Sequence, residues 1–149
     1  MGRGLYFNPI HVFPFTNGDR RLLETLARFS IGLAPALTHQ LVAGAAWAAF
    51  LVNLRSHHRI EKYLNQFEAV PDWQSAVHRG INSAAMVWKD CFLEDESLPK
   101  LIAKLDQPDS LAEPIPDYLR PDAIKQLLTV TYPALKSERH LAELFTEPD

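Results

Sequence analysis

Histidines, acids and cations crowd one short stretch of this chain. His57 and His58 are followed by Glu61, and on a helix His57 and Glu61, four residues apart, share a face. Imidazole and carboxylate are metal ligands, but a closed site takes three or four, and the sequence offers no second ligand pair. No metal and no cofactor is expected. Arg55, His58, Arg59 and Lys62 fall within two helical turns and make the most concentrated basic patch in the chain. Such a patch suits an acidic partner, a phosphate, or the chain's own Glu94-Asp95-Glu96. Cys91 is the single cysteine, so no intramolecular disulfide forms. With Asp90 and the 94–96 acids beside it, a thiolate is disfavoured, and the expectation is a buried structural thiol. The sequence holds neither a Gly-x-Ser-x-Gly elbow nor the glycine patterns of a P-loop or a dinucleotide site.

The N-terminal stretch carries a different signal. Ile10-His11-Val12-Phe13-Pro14-Phe15-Thr16-Asn17-Gly18-Asp19-Arg20-Arg21 resembles the Fic family signature, His-Pro-Phe-x-x-Gly-Asn-Gly-Arg-x-x-Arg. His11, Phe13, Asn17 and Gly18 fall on matching positions. The sequence departs from the signature at Thr16, where the family has glycine, and at Asp19, where it has arginine. The resemblance implies an all-helical fold and transfer of a nucleotide moiety to a hydroxyl. It would make His11 the general base, and Asn17 with the amides near Gly18 a phosphate cradle at a helix N-terminus.

The same region offers a non-catalytic reading. Tyr6, Phe7, Phe13 and Phe15 lie on an arm broken by Pro9 and Pro14, and aromatic side chains are favoured anchors in protein interfaces. Charge is unevenly shared. Residues 1–80 hold 8 Lys/Arg and 5 Asp/Glu, net +3, whereas residues 81–149 hold 7 and 13, net −6. The total of −3 argues against nucleic acid as a partner. The apolar segment 5–15 is interrupted by Asn8, Pro9, His11 and Pro14, so it does not read as a secretory signal, and the expected location is the cytoplasm.

These groups need a scaffold. For 149 residues, 47% hydrophobic and 22% charged, one domain is expected, 1–149, with about two thirds of the extended chain's surface removed from water. Helical spacing dominates. The pattern predicts an extended arm over 1–18, then an all-α bundle of five to six helices over 19–149. The first helix is capped by Asp19 and carries Leu22, Leu23, Leu26 and Phe29. A central apolar helix follows over about 36–66, opened by Pro35, with a bend near Ser56-His57-His58. Between Arg28 and Arg55 lie 26 uncharged residues, long enough to cross a bilayer. Thr38-His39-Gln40 and Pro35 interrupt that stretch, so a core helix is preferred and membrane association is the lesser alternative.

Pro71-Asp72 opens the next helix, with a stripe of Trp73, Val77, Ile81, Ala84 and Trp88. Ser97 is expected to cap a short helix carrying Leu98, Leu101, Ile102 and Leu105. Pro108, Pro114, Pro116 and Pro121 mark a strap over about 106–121. A further helix with Ile124, Leu127 and Leu128 should stop near Pro133, and Ser137 should cap a last one. Gly44 with Ala48, and Gly80 with Ala84, place small residues four apart on two helices, which predicts that those helices cross there.

Three functions follow from these readings. The favoured one is a small helical interaction or accessory protein, docking to a protein partner or to itself without its own catalysis. The alternatives are a degenerate Fic-like nucleotide protein and a bundle that takes a small ligand between His39, Trp47 and Trp88.

Overall fold

The computed structural model describes residues 34–68, 70–107 and 115–138. The expected arm, the helix capped by Asp19 and the Fic-like stretch lie outside these residues. Within them the chain is all-α, without a strand. The elements are α1 (Pro35–Val52), α2 (His57–Leu64), a 3₁₀ turn (Asn65–Phe67), α3 (Trp73–Cys91), α4 (Ser97–Leu105), a 3₁₀ turn (Asp117–Leu119), α5 (Pro121–Gln126), a π-helical turn (Leu127–Thr131) and α6 (Tyr132–Glu138).

The centre of the fold is α1 packed on α3, and the two helices run in the same direction. Near their starts, His39 Nε2 donates to the Pro71 carbonyl at 2.8 Å. Midway, Gly80 faces Ala43, Ala46 and Trp47. At their far ends Leu51 and Val52 share a cavity wall with Trp88 and Phe92. Two parallel helices require a return path, and α2 with its 3₁₀ turn supplies it. The expected crossing is present at Gly80 on α3, but on α1 it falls at Ala43, Ala46 and Trp47 rather than at Gly44 and Ala48. A Cβ on Gly80 would lie 2.3 Å from the Ala43 carbonyl oxygen and 2.9 Å from Ala46 Cβ, so this approach excludes any side chain at position 80.

The long helix expected over 36–66 is two helices. α1 stops at Val52, the buried Asn53 side chain donates to the Ala49 carbonyl at 2.8 Å, and Ser56 takes an extended conformation before α2. An amide that satisfies a last-turn carbonyl offers the backbone an alternative to the next helical bond. The change from an all-round apolar pattern to an amphipathic one marks this break. α1 is long and apolar enough, by length and composition, to cross a membrane. Its residues Leu41, Val42, Ala45, Ala46, Ala48, Ala49 and Phe50 are buried in the protein core.

The amphipathic stripes fall where the periodicity predicts. Ile60, Tyr63, Leu64 and Phe67 are buried, as are Val77, Ile81, Ala84 and Trp88, then Leu98, Leu101, Ile102 and Leu105, then Ile124, Leu127 and Leu128. Asp72, just before α3, has φ 52°, a left-handed conformation that Asp adopts more readily than most residues. The described end of the proline strap is tied down: Tyr118 is buried, packs 5.4 Å from Trp73 and donates to Asn65 Oδ1 at 2.7 Å.

Helix ends depart from expectation in three places. Ser97 does not cap α4; it is the first helical residue, and its amide donates to Asp95 Oδ1 at 2.6 Å. A carboxylate outside the helix thereby satisfies a first-turn donor. Pro133 does not stop its helix, because the π turn precedes it. The Tyr132 amide reaches Leu127, five residues back, where a regular α-turn would press the proline ring against the residue 129 carbonyl. Ser137 accordingly lies inside α6, and its hydroxyl donates to Ala134. The rod of 121–138 is clamped to the end of α3: Lys89 donates to the Leu128 carbonyl, and Asp90 accepts from Tyr132 at 2.5 Å and Lys136 at 2.8 Å.

Candidate functional site

The far ends of α1 and α3 converge on the start of α4, and two adjoining cavities open there. The larger, about 580 Å³, is lined by Leu54, Arg55, Glu94, Asp95, Glu96, Ser97, Lys100, Leu101 and Lys104. The smaller, about 250 Å³, lies between Leu51, Val52, Trp88 and Phe92. They share Leu54, Arg55, Asp95 and Ser97, and together form one open groove. Large apolar side chains stand exposed around it: Val52 at 53%, Phe92 at 48% and Leu93 at 84%. The segment 92–96 has to connect two helix ends while supplying caps, so its side chains are turned outward rather than into the core.

The charges of the groove are partly committed within the chain. Glu96 and Lys100 pair at 2.7 Å. Asp95 is held below the ordinary carboxylate range by its hydrogen bonds to Ser97, with the positive charge of Arg55 adding to the effect. Arg55 and Asp95 line the same cavity, so the basic patch of the first half adjoins the acid run of the second. Arg55, Lys104 and Glu94 complete the charged lining.

His57 stands beside this lining. It is 2% exposed, neither ring nitrogen has a hydrogen-bond partner, and its ring lies 3.8 Å from that of His58. Burial lowers its pKa, and the charges of His58 and Lys104 lower it further. The solvated face expected for His57 is not what forms. His57 turns into the core, and His58 Nδ1 lies 4.0 Å from Glu61. Among the described residues no three His, Cys, Asp or Glu side chains gather as metal ligands. His58, Arg59 and Lys62 are exposed on α2, and Arg55 is exposed in the turn before it.

Cys91 is exposed rather than buried. It is the last residue of α3, three positions past Trp88, where the helix has run beyond the core. The residues expected around a small ligand occupy three levels of the α1–α3 pair: His39 beside Pro71, Trp47 beside Gly80, and Trp88 in the groove. From Gly80 to Trp88 the rise alone is about 12 Å, so the three do not share a pocket. His11, Asn17, Tyr6, Phe7, Phe13 and Phe15 lie outside the described residues.

Sequence reasoning missed Val52, Phe92, Leu93, Lys100 and Lys104 as site residues. A signal was present in Phe92-Leu93 directly ahead of three acids, an apolar pair placed where a helix ends and a polar link begins. No family model matches the sequence, no curated protein matches it, and no solved structure matches the fold.

Proposed function

We propose that this chain is a small helical docking or accessory protein of the cytoplasm, without catalysis of its own, that binds another protein surface through the groove at the ends of α1 and α3. One observation carries the reading: Val52 and Phe92 are exposed in the wall of a cavity whose lining mixes apolar and charged groups, and Leu93, next to Phe92 in the chain, is exposed as well. Clustered exposed apolar side chains with a polar surround mark interaction surfaces. The charged lining suits recognition rather than chemistry. Glu96 pairs with Lys100 and Asp95 holds the Ser97 amide, and no described side chain there pairs a nucleophile with a base. The basic patch of Arg55, His58, Arg59 and Lys62 extends the surface along α2.

The test compares wild-type protein with Phe92→Ser/Leu93→Asp as bait in extracts of the source cells, with helicity checked by circular dichroism. Specific partners held by the wild type and lost from the variant support the reading. Identical recovery by both baits overturns it.

A further inference from the structure

We propose that the first turn of α2 is an acid-sensitive latch on the groove: a neutral His57 seats that turn in the core, and a proton on its ring unseats it and carries Leu54 and Arg55 out of the cavity walls. This names a regulation of the site, and for its effect on capture it rests on the docking reading.

His57 is 2% exposed and neither ring nitrogen has a hydrogen-bond partner. A neutral ring tolerates that place. An imidazolium there would be a buried charge with no acceptor for either N–H group. The surrounding charges oppose the proton as well. The His58 ring lies 3.8 Å away on the same helix, and Lys104 acts on His57 from α4. Arg55 stands two residues ahead in the turn, and Glu61, the acid of α2, lies 4.0 Å from His58 Nδ1. Glu94, Asp95 and Glu96 line the adjoining cavity together with Arg55 and Lys104. α1, which leads into the turn, has no titratable side chain after His39. His57 is also the first residue of α2, at the positive end of the helix dipole.

This turn is built to give way before the rest of the fold. Residues 53–56 are not helical, and Ser56 supplies no side-chain cap to α2. A helix of 8 residues does not hold itself together in water, so α2 persists through its buried side chains, His57, Ile60, Tyr63 and Leu64. Its far end is tied by the bond from Tyr118 to Asn65, which leaves the first turn as the end that lifts. Leu54 and Arg55 lie in the link ahead of that turn and line both cavities, so lifting it removes a wall that the two share.

The experiment is hydrogen exchange by mass spectrometry on the full chain at about pH 7.5 and about pH 5.5, corrected for the intrinsic effect of pH. In wild type, protection of residues 54–60 should fall about fivefold relative to residues 81–88, because the open turn takes up a proton that the closed one resists. In His57→Leu the relative protection should be the same at both pH values. Lys104→Met, at an exposed position and so without disturbing the core, should lessen the fall, since the closed turn then resists the proton less. His78, on α3, is common to all three proteins. A partner that wild-type bait holds through Phe92 and Leu93 at the higher pH should be released at the lower one, and His57→Leu should hold it at both.

Protection that falls equally in all three proteins, or does not fall in wild type, overturns the latch whatever the groove binds. A wild type that opens yet keeps its partner at the lower pH overturns the control of the groove. If exchange follows the expected pattern and no capture depends on Phe92 and Leu93, the latch stands and the docking reading falls.

Discussion

Replacing Gly80 with alanine reverses an ordinary rule and so reports directly on the α1–α3 contact. In an exposed helix, Gly→Ala stabilises by about 1 kcal/mol, because alanine loses less backbone entropy on folding. Here the new Cβ would lie 2.3 Å from the Ala43 carbonyl oxygen, 2.9 Å from Ala46 Cβ and 3.0 Å from the Trp47 amide nitrogen. All three are backbone atoms or a Cβ, so no side-chain rotation relieves them and the two helices must part. Overpacking of a tight core costs about 1–3 kcal/mol, and rigid neighbours place this site near the upper end. Less the helix-propensity gain, the net loss is about 2 kcal/mol. In urea, with a slope of about 1–3 kcal/mol/M, the unfolding midpoint should fall by about 1 M, followed by circular dichroism. Ala46→Gly in the same background should recover little, because the closest atom is the Ala43 carbonyl. A midpoint that rises or stays put would mean that α1 and α3 do not meet at Gly80, and the arrangement of the whole core would fail with it.

Two further outcomes follow. The pKa of His57 lies below 6.5 in the folded chain, through burial first and then the charges of His58 and Lys104. Its contribution to stability is therefore complete above about pH 6.5 and is lost as pH falls, because the unfolded chain takes up a proton that the folded chain resists. Thermal unfolding between pH 5 and 7.5 should show a shallower decline in His57→Leu than in wild type, with the remainder due partly to His78, also lowered by burial; an unchanged slope refutes it. Tyr118→Phe removes the 2.7 Å bond to Asn65 and should cost about 0.5–1.5 kcal/mol, toward the low end because Asn65 reaches solvent, whereas a neutral result in urea unfolding would mean that the strap is not tied there.

The periodic elements were legible because burial and helical geometry repeat on the same period. Ile60, Tyr63, Leu64 and Phe67 had to share one face of any helix, and so did Leu98, Leu101, Ile102 and Leu105; both faces are buried. Helix ends were less legible, because capping is a contest between nearby polar groups of similar strength. Asp95 takes the role expected of Ser97, and a π turn lets the chain continue through Pro133. Cys91 was misread as buried because it follows a stripe that is buried, and only the length of α3 relative to the core shows that the stripe has ended.

The amino-acid order alone determined the all-helical character, the apolar stretch from Leu41 to Leu54 and the small residues that let two helices touch, since each depends on spacing within a single segment. Tertiary structure decided which ends of α1 and α3 lie together, and therefore that Arg55 lines the same cavity as Asp95, 40 residues away in sequence, and that Val52 joins Phe92 at one rim. Parallel and antiparallel packing bury the same stripes. The choice between them depends on how the chain returns through α2, a property of the assembled fold that no local pattern of residues contains.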